Sequence, residues 1–439
     1  MKNYPIKQVH LGLGQFFRGH QAYYTELAKE DWGIAAVSMR TDTAVKQMQA
    51  QKNRYSVLAR DHAVAELTQI HCVAQSYFLP ESYQAVFDLL ASEQTEIISL
   101  TVTEKGYCFD FHKGELDLNL TEIQAELKSD KATTAIGLIA HAMEQRYKTH
   151  QKPGTLLSCD NVSFNGSILK KAVASFLKAK ESPCLEWFEK EVMSPNTMVD
   201  RIIPKTTEEE KKKAFEDKDD FDPLVILTEK FSQWCIEDKF SSEKPHWPGV
   251  QLVQNIEPFE NLKLRALNGA HSYLTYMGRL KNYETVDEAI QDQEILDDLS
   301  HLFTEEVYPT LKPDISETEY KAYTEALIQR FKNPHLKHRL EQIAMDGTQK
   351  VPQRWLPVIK ENKEQCPILV KALCVWILFL KRKLDQNEKI MDPKAEQIKS
   401  WNDKDIQTFA QQFQQIIPAE ILGQKSFKRE LDEQYQRFF

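Results

Sequence analysis

Glycine is scarce in this chain, 14 residues in 439, which excludes collagen-like and glycine-rich low-complexity architectures. Cysteine is scarcer: the seven thiols at Cys72, Cys108, Cys159, Cys184, Cys235, Cys366 and Cys374 include no CxxC pair. That spacing gives no structural zinc site, and the odd count argues for free thiols in a reducing compartment, so a cytoplasmic protein without a metal is expected. Long hydrophobic runs are missing too. The longest, residues 372–380, is bracketed by Lys371 and Lys381 and falls far short of the ~20 residues a membrane span requires. It reads as a core helix, and no membrane partner is expected. The opening MKNYPIKQVHLGLG lacks an apolar h-region, which argues against a signal peptide. Positive charge is in deficit, with 56 Lys and Arg against 65 Asp and Glu for a net charge of -9. That balance is a poor footprint for nucleic acid and leaves a small molecule as the expected partner.

What is present is a globular balance of 41% hydrophobic and 28% charged residues, in a chain too long for one ordinary core. Residues 6–14 read as a buried strand entering a tight turn, and residues 15–29 carry the helical spacing Phe16, Tyr23, Leu27. Gly12 and Gly14 stand at that strand-to-helix junction, where glycine lets a backbone approach a pyrophosphate. The third glycine of a full GxGxxG fingerprint is replaced by Phe17, so the turn reads either as a nucleotide site or as an ordinary strand end. Residues 32–39 form a second short strand, followed by Arg40 and Asp42. An aspartate there would accept a ribose 2′-hydroxyl and an arginine would accommodate a 2′-phosphate, so the segment leaves NAD against NADP open.

Residues 96–103 and 155–158 read as further buried strands, each followed by a polar loop, and polar loops after buried strands are where α/β proteins place ligands. Asn161 lies in the second of these loops, with a turn or cap role as the alternative. Residues 198–203 and 224–228 are additional strand candidates. Between them, TTEEEKKKAFEDKDDFD is a solvated charge run. Past about residue 245 helical periodicities take over. The expected organisation is therefore α/β: a Rossmann-like nucleotide-binding domain over residues 1–250 and a mostly α-helical substrate and catalytic domain over residues 251–439.

In the helical half, EPFENLKLRALNGAHSYLTYMGRL gathers Lys263, Asn268 and His271 within nine residues. At about 100° per residue they fall near 0°, 140° and 80°, close enough to share one pocket wall. Leu262, Leu264, Ala266, Leu267 and Ala270 predict a half-buried helix on which unpaired polar groups are costly. The alternative is a packed helix with a snorkelling lysine, a capping asparagine and a satisfied core histidine.

Seven ordered segments, VHLGLGQFFRGHQAYY, ISLTVTEKGY, SCDNVSFNG, MVDRIIPKT, QWCIEDKF, NLKLRALNGAHS and IAMDGTQKVPQR, resemble the hallmark segments of the polyol-specific long-chain dehydrogenases, among them mannitol 2-dehydrogenase and fructuronate reductase. The resemblance implies zinc-independent hydride transfer between NAD(H), with NADP not excluded, and a sugar alcohol or sugar acid. It implies that Lys263 is the general acid/base, that Asn161 and Asn268 stabilise the oxyanion, and that His271 positions the substrate. Glu260 then lies on the proton route to solvent, Asp200 beside the active-site lysine, and Lys350 on the substrate, with Arg354 a further substrate-binding candidate. Of the cofactor-binding candidates Gly12, Gly14, Phe16, Arg40 and Asp42, the resemblance carries over Gly12 and Gly14, and a monomer is the default expectation. Two positions depart from the family pattern: Phe17, where many members have histidine, and Gln342, where some mannitol dehydrogenases have arginine.

Removing hydride from an alcohol carbon requires loss of the hydroxyl proton, so a base is obligatory. A lysine of ordinary pKa about 10.4 serves as one only if burial lowers it. Two amides donating to the alkoxide would replace the electrophilic help a metal otherwise gives. A ketose/polyol pair of the fructose/mannitol type is the first expectation. Fructuronate/mannonate is the alternative, since a uronate needs cations and Lys350, Arg354 and Lys105 are available. A non-catalytic nucleotide sensor would explain the glycine turn, but not the lysine, asparagines and histidine retained together.

Overall fold

A computed structural model describes residues 4–61, 64–111, 113–215, 222–363 and 365–439. Two compact units divide the chain, Met1–Ile256 and Glu257–Phe439.

The first unit is built on a parallel sheet of five strands in the spatial order Val73–Phe78, Gly33–Ser38, Ile6–Leu11, Ile97–Leu100, Thr155–Ser158. These strands are near-continuous apolar runs because helices cover both faces of a parallel sheet; Gly33–Ser38 and Ile97–Leu100 are buried at every position. The chain runs outward from Ile6–Leu11 on one side and then crosses to Ile97–Leu100 on the other. That reversal leaves a crevice beyond the carboxyl ends of these two central strands, where doubly wound sheets bind ligands. Helices Leu79–Ala91, Ala135–Thr149 and Asn165–Ala179 contribute to one core with the sheet.

Among the described residues of the unit there are three smaller sheets: Thr197–Asp200, Gln233–Glu237, Gln251–Val253; Ile226–Glu229, Tyr55–Arg60, Ala65–Ile70; and the two-stranded Phe109–Asp110, Glu115–Leu116. The helix expected over residues 15–29 is two helices, Gln15–Gly19 and Gln21–Ala28, broken at His20. The cause is local packing. A Cβ on Gly19 would lie 2.7 Å from Ile203 and 2.8 Å from Ile226, so the chain ends its turn pressed against those side chains. The charge run holds an exposed helix, Glu208–Lys213, started by a reciprocal Thr207–Glu210 capping box; its residues 216–221 lie outside the described residues.

In the second unit the described residues form helices joined by turns, with one isolated bridge between Thr285 and Arg339. The apolar run at 372–380 lies inside the helix Pro367–Asp385, which presents Leu373, Trp376, Ile377 and Leu380 at i, i+3, i+4 and i+7 to the core. Each such side chain contributes about 1.5–3 kcal/mol on burial. This helix and the C-terminal helix Lys425–Phe438 share one core with the helix Gly269–Leu280. No helix among the described residues is long and apolar enough to cross a membrane.

Candidate active site

In the first unit the carboxyl end of Ile6–Leu11 turns sharply at Gly12, whose φ of +110° only glycine adopts without strain. A Cβ there would sit 2.1 Å from the carbonyl oxygen of Thr101, at the end of the neighbouring strand. Gly14 is different. Its backbone is extended, with φ -101° and ψ 178°, and a Cβ would meet nothing closer than the Gly12 carbonyl oxygen at 3.9 Å. Gly12 is therefore demanded by the fold, whereas Gly14 leaves an open flank at the switch point, which suits close approach of a nucleotide phosphate. Phe17, where the fingerprint has its third glycine, is buried and stacks on the His10 ring at 3.8 Å. His10 is satisfied by the Ser99 hydroxyl at 2.8 Å and the Thr101 hydroxyl at 3.0 Å. Burial lowers its pKa to about 3, so it is a neutral core residue. Phe16 is partly buried and stacks on His20 at 5.1 Å. Arg40 is exposed beyond the second strand, and Asp42 starts the helix Thr43–Ala50 in an ion pair with Lys46. Lys105 is exposed on the turn Glu104–Tyr107.

Asn161 is exposed on the loop after Thr155–Ser158. Its neighbour Asp160 is buried, and its carboxylate accepts from the Val102 amide at 3.0 Å, the Thr103 amide at 2.8 Å and the Tyr107 hydroxyl at 2.9 Å. One carboxylate thus ties the loop after Ile97–Leu100 to the loop that carries Asn161, with Thr103 held at φ +65°. Asp200 is buried at the end of the strand Thr197–Asp200.

In the second unit the lysine helix departs from the expected geometry. Glu257–Leu262 and Gly269–Leu280 are α-helical, but Lys263–Asn268 is a π-helical turn, in which the Gly269 amide reaches the Leu264 carbonyl. An i→i+5 turn takes up one residue more than an α turn. Asn268 therefore stacks close to Lys263 rather than about 140° around from it. Glu260 and Lys263 at i, i+3, and Asn268 and His271 at i, i+3, then continue the same face. The spacing that regular helix geometry spreads around the axis is gathered by the π turn into one stripe.

The helix Gly347–Arg354 braces this turn. The buried Arg354 guanidinium donates to the Asn268 carbonyl at 3.2 Å and the Ser272 hydroxyl at 2.6 Å, and the Trp355 indole N–H donates to the Gly269 carbonyl at 3.1 Å. One turn earlier on that helix, half-buried Lys350 donates to the Ile343 carbonyl at 3.2 Å. Neither Lys350 nor Arg354 forms an ion pair among the described residues. Burial, and then Arg354, lower the Lys350 pKa to about 8, while burial lowers that of Arg354 to about 10. His271 is buried and stacks on Phe331 at 5.1 Å. Its pKa is held well below the ordinary range by burial, then by His338, Arg354, Arg330 and Lys350. Sequence reasoning missed Phe331 and His338, which lie in polar stretches with no motif of their own, and Asp160, whose neighbour in the SCDN segment was its only signal. Gln342 is exposed on the short helix Leu340–Ile343.

A glycine turn at the switch point of a doubly wound sheet, in a chain that also sets a lysine, an amide and an imidazole on one helix stripe, defines an oxidoreductase of the dehydrogenase class. The chain belongs to the mannitol dehydrogenase family: residues 6–249 match the mannitol dehydrogenase Rossmann domain and residues 255–438 its C-terminal domain. It is 38% identical to the D-mannonate oxidoreductase of Escherichia coli over 402 residues, 88% of this chain and 82% of that protein. Identity to the mannitol 2-dehydrogenase of Aspergillus fumigatus is 33% over 414 residues, 89% and 82% of the two chains. The fold matches the ternary complex of Pseudomonas fluorescens mannitol 2-dehydrogenase with NAD and D-mannitol at a TM-score of 0.89 and 30% identity, covering 99% of this chain and 93% of that one.

Proposed function

We propose that this protein interconverts a secondary alcohol and its ketone on an open-chain sugar acid of the D-mannonate type, with NAD(H) as redox partner and Lys263 as general acid/base. The observation that carries the substrate class is the pair Lys350 and Arg354, two cations on one helix without an ion pair among the described residues, beside a histidine whose protonation they oppose. Asp346 and Asp392 act on Lys350 only through space; buried cations without a directly paired carboxylate are costly, and a substrate carboxylate offsets that cost. Arg354 holds the π turn through Asn268 and Ser272, so in this reading it supplies field and geometry, while Lys350 meets the carboxylate. The 38% identity to a D-mannonate oxidoreductase supports the same class.

Bound NAD supplies the hydride acceptor for the alcohol carbon. Lys263 takes the hydroxyl proton as the hydride leaves, and Glu260, one turn earlier on the same stripe, passes it toward solvent. Asn268 donates an amide N–H group to the developing oxygen charge and His271 orients a substrate hydroxyl, while the roles of Asn161 and Asp200 are those the family resemblance implies. The open flank at Gly14 suits the cofactor's phosphates. Arg40 and Asp42, beyond the second strand, leave preference between NAD and NADP to measurement. Oxidation of a neutral polyol is the second reading, favoured by the fold match to a mannitol 2-dehydrogenase.

The test is NAD and NADP reduction by the purified protein with D-mannonate and, separately, D-mannitol. Turnover of D-mannonate well above D-mannitol is expected, and the reverse order would overturn the sugar-acid assignment. Lys263→Ala should abolish turnover and leave NADH binding within about twofold; activity near that of the wild type would remove the lysine from its role.

A further inference from the structure

His271 does not stand alone. The ring of His338 meets it edge-on, with centroids 5.2 Å apart and planes at 68°, while Phe331 stacks on His271 at 5.1 Å and 24°. The segment that carries His338 is pinned: the Val286 amide donates to the His338 carbonyl at 3.0 Å, the Leu340 amide to the Glu284 carbonyl at 2.9 Å, and Thr285 bridges Arg339. Lys337, just before it, takes a positive φ of 45°. The chain thus accepts a strained residue where His338 is delivered to His271, and strain of that kind collects at functional sites.

Two buried ring nitrogens in this pair, Nε2 of His271 and Nδ1 of His338, have no hydrogen-bond partner among the described residues. Buried polar atoms are almost always paired, so each one that is not calls for an explanation. Packing alone explains the rings and not the nitrogens. An imidazolium pair is not the answer either. Burial, then the Lys350 ammonium, lower His338 to about 4, and His271 is held well below the ordinary range for the reasons given above. Both rings are neutral at physiological pH, and a neutral imidazole offers one donor and one acceptor. That matches a hydroxyl, which can give and take a hydrogen bond, better than it matches an anion.

Resting on the sugar-acid reading above, we propose that His338 is a second substrate-binding histidine, which with His271 hydrogen-bonds hydroxyls on neighbouring carbons of the substrate chain. Lys350 then takes the charged end and the two imidazoles take the hydroxyls beside it. The pair is a specificity device for polyhydroxylated chains, with His338 a binding residue rather than a proton carrier.

The experiment compares wild type, His338→Ala and His338→Asn on D-mannonate and on mannonates deoxygenated at one carbon each, with NADH titrations and thermal unfolding alongside. His338→Ala is expected to lose about tenfold in kcat/KM on D-mannonate, mostly through KM, the size of one lost hydrogen bond. Its NADH affinity should stay within about twofold. On the one deoxy substrate that lacks the matching hydroxyl, the same substitution should change kcat/KM by less than about twofold, because the bond is already gone. His338→Asn, which keeps a donor and an acceptor, should recover most of the loss. Equal losses on every deoxy substrate, or no loss on D-mannonate, would overturn the proposal while leaving the sugar-acid assignment standing. Wild-type enzyme inactive on D-mannonate would overturn the functional reading and this assignment with it.

Discussion

The two glycines of the first turn give a paired experiment, because the structure assigns them opposite costs. In Gly12→Ala the new Cβ lies 2.1 Å from the Thr101 carbonyl oxygen and 2.8 Å from its carbon, on a residue with φ +110°. Backbone strain of that kind costs about 1–3 kcal/mol, and overpacking against a backbone group that cannot rotate away adds about 1–3 kcal/mol. For a unit of this size roughly 3 kcal/mol is a fall of about 6–12 °C in its unfolding temperature. Gly14→Ala meets only the Gly12 carbonyl oxygen at 3.9 Å, on an extended backbone that alanine adopts freely. Its effect on stability should stay within about 0.5 kcal/mol. If nucleotide phosphates approach the Gly14 backbone, the added methyl group lies in their way, and the NADH dissociation constant should rise tenfold or more, about 1.4 kcal/mol. Thermal unfolding and NADH fluorescence titration of both variants read the two effects separately. Wild-type NADH affinity in Gly14→Ala would refute the phosphate placement, and an unshifted unfolding temperature in Gly12→Ala would refute the steric account.

With a pKa of about 8, the Lys350 ammonium is charged below that pH and lost above it. The kcat/KM for a sugar acid should therefore fall as pH rises through about 8, and Lys350→Met should lower it and flatten that limb; an unchanged profile in the variant removes Lys350 from carboxylate binding. Glu306 is buried, with its carboxylate accepting from the Ile368 amide at 2.6 Å and the Leu369 amide at 3.0 Å, and burial raises its pKa to about 7. The fold then binds a proton that the unfolded chain releases near pH 4.5, so this group's contribution is full at low pH and is lost as pH rises from about 4.5 to 7, by roughly 3 kcal/mol. Urea unfolding of wild type and Glu306→Gln across that range should show the difference, and parallel curves would refute it. Deleting Leu264 should convert the π turn to α-helix and rotate the segment before it by about 100°. The helical unit should still fold and kcat should drop more than 100-fold, which circular dichroism and initial rates check; full activity would mean that the π turn does not align the site.

Four of the five strands of the parallel sheet were legible because burial on both faces forces them to be runs of β-branched and aliphatic residues, as in IISL and TLLS; the edge strand Val73–Phe78, only partly buried, was not. Nor was the hairpin Tyr55–Arg60 with Ala65–Ile70. Its second strand, AELTQI, is mostly exposed, so it shows neither an apolar run nor a clean alternation. It is held by backbone pairing to a neighbour, and backbone pairing has no side-chain signature. The break at His20 escaped for a related reason: Gly19 is pressed by Ile203 and Ile226, whose proximity only the folded chain reveals.

The site divides along the same line. Lys263, Asn268 and His271 were visible as residues, but not their alignment, since KLRALN has ordinary helix formers and nothing in it asks for a π turn. What accompanies the turn comes from elsewhere: Arg354 and Trp355 donate to the carbonyls of Asn268 and Gly269, residues 86 positions away. An α-helix lowers its energy by adding one hydrogen bond per residue, so a mid-helix register change persists where tertiary contacts offset what the local chain loses. Seen this way, Arg354 links two parts of the site. The guanidinium that braces the π turn also lowers the proton affinity of Lys350 and His271. Replacing it would disturb the lysine stripe and the cationic wall together, so the two functions are separable only by substitutions at Lys350 on one side and at the π turn on the other.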